Sequence, residues 1–127
     1  MAENSPKILL IEDDAFMVEL LTNEFTNAGF EVAVARTGAE GVSRFREASP
    51  NIVLLDVLLP DQNGFDTLRK IRREPGGPEM KAMFLSNLSE ETDIEEAKRL
   101  GAIDYLVKAN FALPEIVERV KKAVNAT

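Results

Sequence analysis

Apolar residues along this chain alternate between the spacing typical of β-strands and the spacing typical of α-helices. Short, largely apolar runs predict β-strands over residues 7–11, 51–56, 81–86 and 103–107, and alternation of apolar and polar residues predicts another over residues 30–35. After each of these segments, apolar residues recur at helical spacing and predict a helix. The first helix is predicted over residues 14–28, and Gly29 marks its end. Five strand–helix units with short connections predict an α/β fold in which helices cover both faces of a parallel sheet.

Local signals place several helix starts. Thr37 and Glu40 have the spacing of a capping box, and Ser89 is positioned to cap the fourth helix. Pro114 suits the first position of the last helix, where a missing N–H costs nothing. The Pro- and Gly-rich residues 74–79 form the clearest loop. These signals predict one compact βα array over residues 1–127, without a second domain.

The third run, "NIVLLDVLLP", contains a single aspartate, Asp56, among apolar residues. An ionised carboxylate is costly to bury without a partner. In parallel α/β sheets, ligands bind outside the carboxyl ends of the strands. Four of the five predicted strands end in polar or ionisable residues at this edge: Glu12, Asp13, Asp56, Ser86 and Lys108.

Taken singly, an acid at such a junction is often only a helix N-cap, and that interpretation is preferred for Asp14. It does not explain a lysine and a hydroxyl at the same edge. Converging carboxylates repel one another unless a cation joins them, and all-oxygen ligation suits Mg²⁺. Lys108 and Ser86 supply a phosphate-binding charge and a hydroxyl donor. The set therefore predicts a phosphoryl-transfer site with a carboxylate nucleophile.

The amino-acid composition excludes several classes of functional site and binding partner. The 127 residues include no cysteine and no histidine, which excludes zinc–thiolate sites, thiol catalysis and histidine-based triads. The formal net charge of −7 disfavours direct binding of nucleic acid or of an anionic membrane. The sequence contains neither a signal peptide nor an apolar segment long enough to span a bilayer. A cytoplasmic protein is expected.

The segments "ILLIEDD", "IVLLDVLLPDQNG", "FLSN" and "GAIDYLVK" together resemble the response-regulator receiver domain of two-component signalling, over essentially the whole chain. The resemblance implies a (βα)5 doubly wound, flavodoxin-like fold with strand order 2-1-3-4-5. It implies that Asp56 accepts a phosphoryl group from a sensor histidine kinase or histidine phosphotransfer protein. The domain would catalyse only its own phosphorylation and dephosphorylation, and would signal to a downstream protein or to an output domain.

The same resemblance assigns the remaining roles. Mg²⁺ would be held by Glu12, Asp13, a side-chain oxygen of Asp56 and the backbone carbonyl of Leu58. Ser86 and Tyr105 would be the switch residues and Lys108 the phosphate-binding lysine. The face formed by the fourth helix, fifth strand and fifth helix would change on phosphorylation. Without its match in spacing to Asp56, Tyr105 is better explained as an ordinary half-buried strand aromatic.

Two positions depart from the family pattern. Ala109 follows Lys108 where the family usually has a proline after a cis bond, so this peptide is expected to be trans or else strained. Asn87 follows Ser86 where a smaller residue is commoner, and we expect it to alter access of water to the phosphoryl group.

Three other classes of protein are alternatives. An aspartyl phosphatase would normally carry a second acid two residues after the first, where Leu58 stands. A flavodoxin-like electron carrier would have a Ser-, Thr- and Gly-rich phosphate loop, whereas "EDDAFM" is acidic. A degenerate receiver that binds partners without being phosphorylated is the strongest rival.

Overall fold

In the computed structural model, which describes residues 5–126, five strands alternate with five α-helices. Each predicted strand and helix is present. The bounds are β1 Lys7–Ile11, α1 Ala15–Asn27, β2 Glu31–Ala35, α2 Gly38–Ala48, β3 Ile52–Leu55, α3 Gly64–Arg72, β4 Lys81–Ser86, α4 Glu91–Arg99, β5 Asp104–Val107 and α5 Leu113–Asn125. A single 3-10 turn, Lys108–Asn110, separates β5 from α5.

The five strands form one parallel sheet in the order β2-β1-β3-β4-β5, as the sequence and its resemblance predicted. The carboxyl ends are nearly level. Ile11 at the end of β1 pairs with both Ala35 and Leu55, the last residues of β2 and β3. Ser86 and Val107 pair at the ends of β4 and β5. Polar residues that follow these strands are therefore delivered to one edge.

Both faces of the sheet are covered, which explains why the central strands β1, β3 and β4 are apolar runs rather than alternating ones. In β1, Leu9 and Ile11 point into one core and Ile8 and Leu10 into the other. The first core is completed by residues of α2, α3 and α4, and the second by residues of α1 and α5. Asp56 thus emerges from a strand fixed on both sides.

Two of the predicted helix starts and one predicted capping box need correction. Thr37 Oγ1 accepts the Glu40 N–H at 3.0 Å as predicted, but the Glu40 carboxylate accepts the N–H of Arg36, not of Thr37. Ser89 is not the cap of α4: the carboxylate of Asp93 accepts the Glu90 N–H at 3.2 Å, so the helix begins one residue later.

Pro114 occupies the second position of α5, because the helix already begins at Leu113. Either position suits proline, since the first four N–H groups of a helix have no partner within it. The predicted ends of the other elements differ by a residue at several places. The most relevant is β3, which ends at Leu55, so that Asp56 is the first residue of the following loop.

Among residues 5–126, no helix has both the length and the apolar character that crossing a bilayer requires.

Candidate functional site

Asp56 and Lys108 meet at the carboxyl edge of the sheet. Asp56 follows β3, Lys108 follows β5, and Lys108 Nζ lies 2.7 Å from Asp56 Oδ2. Asp56 is 5% exposed, although its carboxylate lies at the end of the sheet rather than within the core. The ammonium group is the partner that a carboxylate at this depth requires.

Glu12 is the second carboxylate bound to the same ammonium group, at 2.8 Å from Oε1 to Nζ. Its other oxygen accepts the N–H of Asp14 at 3.1 Å. Burial raises the pKa of Glu12 above its usual range, while the bond from Lys108 opposes that shift. Burial alone would lower the pKa of Lys108, but its bonds to Asp56 and Glu12 raise it overall, so the lysine is charged.

Asp13 completes an acidic cluster. Oxygen atoms of Glu12, Asp13 and Asp56 all lie within 4.8 Å of one another, and Asp13 itself is exposed to solvent. The donors are all carboxylate oxygens, and the chain has no histidine or cysteine to offer. This donor set fits a hard cation such as Mg²⁺, which keeps several waters and uses few carboxylates. Among residues 5–126, Lys108 is the one cation paired with these carboxylates, so the three carboxylates together keep an excess of negative charge.

The first turn of α1 follows this cluster. Asp14 is the N-cap, with Oδ1 accepting the N–H groups of Phe16 at 2.9 Å and Met17 at 3.1 Å. The prediction that Asp14 caps the helix rather than joins the site is confirmed.

The loop after Asp56 is held close to it. Asp56 Oδ1 accepts the N–H of Leu58 at 3.1 Å, and the N–H of Gly64 donates to the carbonyl of Val57 at 2.7 Å. A Cβ added to Gly64 would overlap the carbonyl oxygen of Asp56. Gly64 therefore permits α3 to begin directly against the backbone of Asp56.

Ser86 and Tyr105 both contact the loop after β4. Ser86 is fully buried, and its Oγ accepts the N–H of Leu88 at 3.3 Å. The Tyr105 hydroxyl donates to the carbonyl of Leu88 at 2.6 Å. The Tyr105 ring lies 5.9 Å from that of Phe84, and burial raises the pKa of its hydroxyl. Tyr105 is thus half-buried and already bonded to the loop that Ser86 begins.

The two departures from the family pattern are in contact. Asn87 Oδ1 accepts the N–H of Ala109 at 3.0 Å. No peptide bond within residues 5–126 is cis, so the bond between Lys108 and Ala109 is trans, the unstrained one of the two alternatives.

The structure brings Glu12, Asp13, Asp56 and Lys108 into one cluster. Ser86 and Tyr105 are linked to each other through Leu88. The roles assigned to these six residues, and to the Leu58 carbonyl, stay predictions.

Sequence reasoning missed two residues that support the site. One is Gly64; a glycine at the first position of a helix, directly after a polar loop, was an available signal for close backbone contact. The other is Arg36, whose Nη2 donates to the carbonyl of Asp13 at 2.7 Å. No local pattern reveals that contact, because 23 residues separate the two.

Comparison with known proteins agrees with this geometry. The family model described as response regulator receiver domain matches residues 8–121. The chemotaxis protein CheY of Thermotoga maritima is 34% identical over 117 residues, which cover 91% of this chain and 95% of that protein. The DNA-binding response regulator MtrA of Mycobacterium tuberculosis is 36% identical over 115 residues, or 91% of this chain and 49% of MtrA. The chain thus spans about half the length of the MtrA relatives.

Among solved structures, the non-phosphorylated HemR receiver domain from Leptospira biflexa superposes with a TM-score of 0.89 at 29% identity, covering 97% of each chain. The BeF3-activated DrrB receiver domain gives a TM-score of 0.83 at 27% identity, covering 96% of this chain and 99% of that one.

Proposed function

We propose, from the premise that this chain belongs to the response regulator receiver domain family of two-component signalling, that it accepts a phosphoryl group on Asp56. The donor would be a phosphohistidine on a sensor histidine kinase or a histidine phosphotransfer protein. These 127 residues include no histidine, so the donor imidazole has to come from outside them.

One observation carries the proposal: the Asp56 carboxylate stands at the end of a rigid central strand, 2.7 Å from Lys108 and beside two further carboxylates. Purely structural acids at this edge would not need to converge. A carboxylate with its backbone fixed by β3 and Gly64 is presented in one orientation, which is what a nucleophile requires.

In the reaction, a carboxylate oxygen of Asp56 attacks phosphorus, the phosphorus–nitrogen bond breaks, and its electron pair returns to the donor imidazole. Lys108 then binds a phosphoryl oxygen in place of part of its present contact with Asp56 and Glu12. Glu12, Asp13, Asp56 and the carbonyl of Leu58 would hold Mg²⁺. That ion supplies positive charge against the repulsion between carboxylate and phosphoryl oxygens.

In the acyl phosphate, a group that carries a charge of about −1.5 to −2 at neutral pH replaces the single negative charge of the Asp56 carboxylate. We infer that this charge draws Ser86 and Lys108 towards it and shifts the loop to which both Ser86 and Tyr105 are bonded. Such a shift biases an existing equilibrium between two conformations and alters the face formed by α4, β5 and α5. Since Tyr105 already bonds to Leu88, the change is a rearrangement of that contact.

The protein would therefore be a cytoplasmic signalling domain rather than an enzyme that acts on separate substrates. Its partners would be the phosphodonor and either a downstream protein or an output domain. Direct binding of nucleic acid or membrane is not expected of the chain itself, because its formal net charge is −7.

The test is incubation with acetyl phosphate and Mg²⁺, followed by intact mass and peptide mapping. The wild type should gain one phosphoryl group on Asp56, and Asp56→Asn should gain none. Asp66→Asn, on α3 and paired with Arg69 rather than with the site, is the matched control and should label like the wild type.

Full labelling of Asp56→Asn would overturn the assignment of the nucleophile. A wild type that takes no phosphoryl group from either acetyl phosphate or a phosphohistidine protein would instead be a receiver that binds partners without phosphorylation.

A further inference from the structure

We propose that Asn87 is a positioning residue that holds Lys108 at the phosphoacceptor site, by bonding the loop after β4 to the loop after β5. The proposal rests on the function proposed above and extends it. Asn87 directly follows Ser86, Ala109 directly follows Lys108, and Asn87 Oδ1 accepts the Ala109 N–H at 3.0 Å.

The separation of the two residues along the sequence distinguishes this hydrogen bond from an ordinary contact within one loop. Asparagine side chains in loops usually bond to backbone groups within a few residues. Here donor and acceptor are 22 residues apart. Ser86 and Val107 are the last paired residues of β4 and β5. Beyond them, within residues 5–126, this is the one side-chain hydrogen bond that joins the two loops.

Each of the two residues supplies a group that this hydrogen bond requires. Ala109 supplies an N–H, which a proline at the same position would lack. Asn87 and Ala109 are both exposed, so neither is selected by packing in the core. The two departures from the family pattern therefore form one unit: the larger polar side chain at 87 binds the N–H that the alanine at 109 provides.

The bond acts on Lys108 through the backbone. Lys108 is in a single 3-10 turn outside the sheet, so the strand does not fix its Cα. Its Nζ nevertheless contacts Asp56 and Glu12, at 2.7 and 2.8 Å. Holding the next peptide against Asn87 fixes the base of the lysine side chain. It also makes the loop that carries Ser86 and the turn that carries Lys108 move together when a phosphoryl group draws on both.

The bond itself is tested by NMR measurement of amide–water exchange at Ala109, which requires no phosphorylation. Asn87→Ala should raise that exchange rate about threefold to tenfold, the effect of losing one neutral hydrogen bond. Asn87→Asp keeps an acceptor oxygen and should restore protection. Unchanged exchange at Ala109 in Asn87→Ala would overturn the proposal.

Asn51→Ala is the matched control. Asn51 is also exposed and its Oδ1 also accepts a distant backbone N–H, that of Lys7 at 2.7 Å, but beside the opposite edge of the sheet. It should leave both Ala109 exchange and Asp56 labelling unchanged.

The role in the reaction is tested by the rate of labelling with acetyl phosphate. Asn87→Ala should slow labelling of the otherwise wild-type protein about threefold to tenfold. In a Lys108→Ala background it should change the rate less than about twofold, because the residue it positions is gone. A general structural defect would slow both backgrounds equally, and that result would contradict the proposal.

The two proposals fail differently. A wild type that does not label refutes phosphoryl acceptance, whereas a wild type that labels at the same rate as Asn87→Ala refutes only the role of Asn87.

Discussion

At the scale of single residues, the aspartate inside "NIVLLDVLLP" is explained by where the strand ends. Ile52–Leu55 are buried in the sheet, and Asp56 begins the loop. Its carboxylate accepts hydrogen bonds from the N–H of Leu58 and from the ammonium group of Lys108. The aspartate that interrupts the apolar run is therefore a charge with bonded partners at the edge of the core, on a backbone held by the end of β3.

Gly64 offers a test of that rigidity. In Gly64→Ala the new Cβ would overlap the carbonyl oxygen of Asp56 and approach the Cα of Val57 to 2.9 Å. Backbone atoms cannot relieve this clash by changing rotamer, as a side chain can. We therefore expect the free energy of unfolding to fall by about 1–3 kcal/mol. We also expect slower labelling of Asp56 by acetyl phosphate. Urea unfolding and intact mass measure the two effects.

The control for this substitution is Gly41→Ala. Its added Cβ would meet the end of the Ile11 side chain, Cδ1 at 2.6 Å, which can shift to another rotamer. It should destabilise the protein without slowing the labelling rate. Equal effects of the two substitutions on labelling would show that Gly64 does not position Asp56.

At the scale of secondary-structure elements, the loop between β3 and α3 is anchored to the start of α2. Asp61 accepts the N–H groups of Gly38 at 2.8 Å and Ala39 at 3.0 Å, while Thr37 accepts that of Glu40. Three of the N–H groups that a helix leaves without internal partners are thereby bonded. The same loop carries Leu58, so the cap also holds the segment that follows Asp56.

Asp61 predicts a pH-dependent contribution to stability. Some desolvation acts to raise the pKa of this exposed carboxyl, but the N–H groups of Ala39 and Gly38 outweigh that effect and lower the pKa overall. A lowered pKa means that the unfolded chain binds the proton more readily. The stabilisation is therefore complete above the unfolded pKa of about 3.9 and is lost as the pH falls through the folded pKa.

Asp61→Ala should accordingly cost about 1 kcal/mol at neutral pH, as loss of a helix cap does. The difference from the wild type should shrink below about pH 4. Urea unfolding across this pH range measures it, with Glu79→Gln in the exposed loop as the control. A difference that does not depend on pH would mean that the charge of Asp61 is not involved.

At the scale of the whole molecule, the parallel sheet is what gathers the acidic cluster. Glu12 and Asp13 follow β1 and Asp56 follows β3, and these strands are neighbours. Three carboxylates with oxygens within 4.8 Å of one another repel, and one lysine offsets only part of that charge. The folded state therefore gathers a set of carboxylate oxygens that fits a divalent cation, and the unfolded chain does not gather them.

Mg²⁺ should for this reason raise the stability of the whole domain. At a free concentration 100-fold above the dissociation constant, the gain is about 2.7 kcal/mol. Thermal unfolding followed by circular dichroism, with Mg²⁺ and then with excess chelator, measures it. The gain should fall in Asp13→Asn and persist in Asp66→Asn, which lies outside the cluster. An equal gain in both variants would place the cation elsewhere.

The sequence by itself determined the order of elements and the residues of the acidic cluster. Strand and helix periodicities are local, and in a parallel sheet any residue that follows a strand is carried to the same edge. Glu12, Asp56 and Lys108 could therefore be placed together before the structure was known. Element ends were predicted less well: Ser89 and Pro114 were each misplaced by one residue, because helix ends fray and their boundaries vary by one or two residues.

Only the tertiary structure decided which loops touch. The contacts of Asn87 with Ala109, Asp61 with the start of α2, and Gly64 with Asp56 depend on loop conformation rather than on periodicity. In the sequence, Asn87 and Ala109 are two separate departures from the family pattern. Their hydrogen bond exists because the sheet brings the ends of β4 and β5 together, and no pattern within either segment encodes that distance.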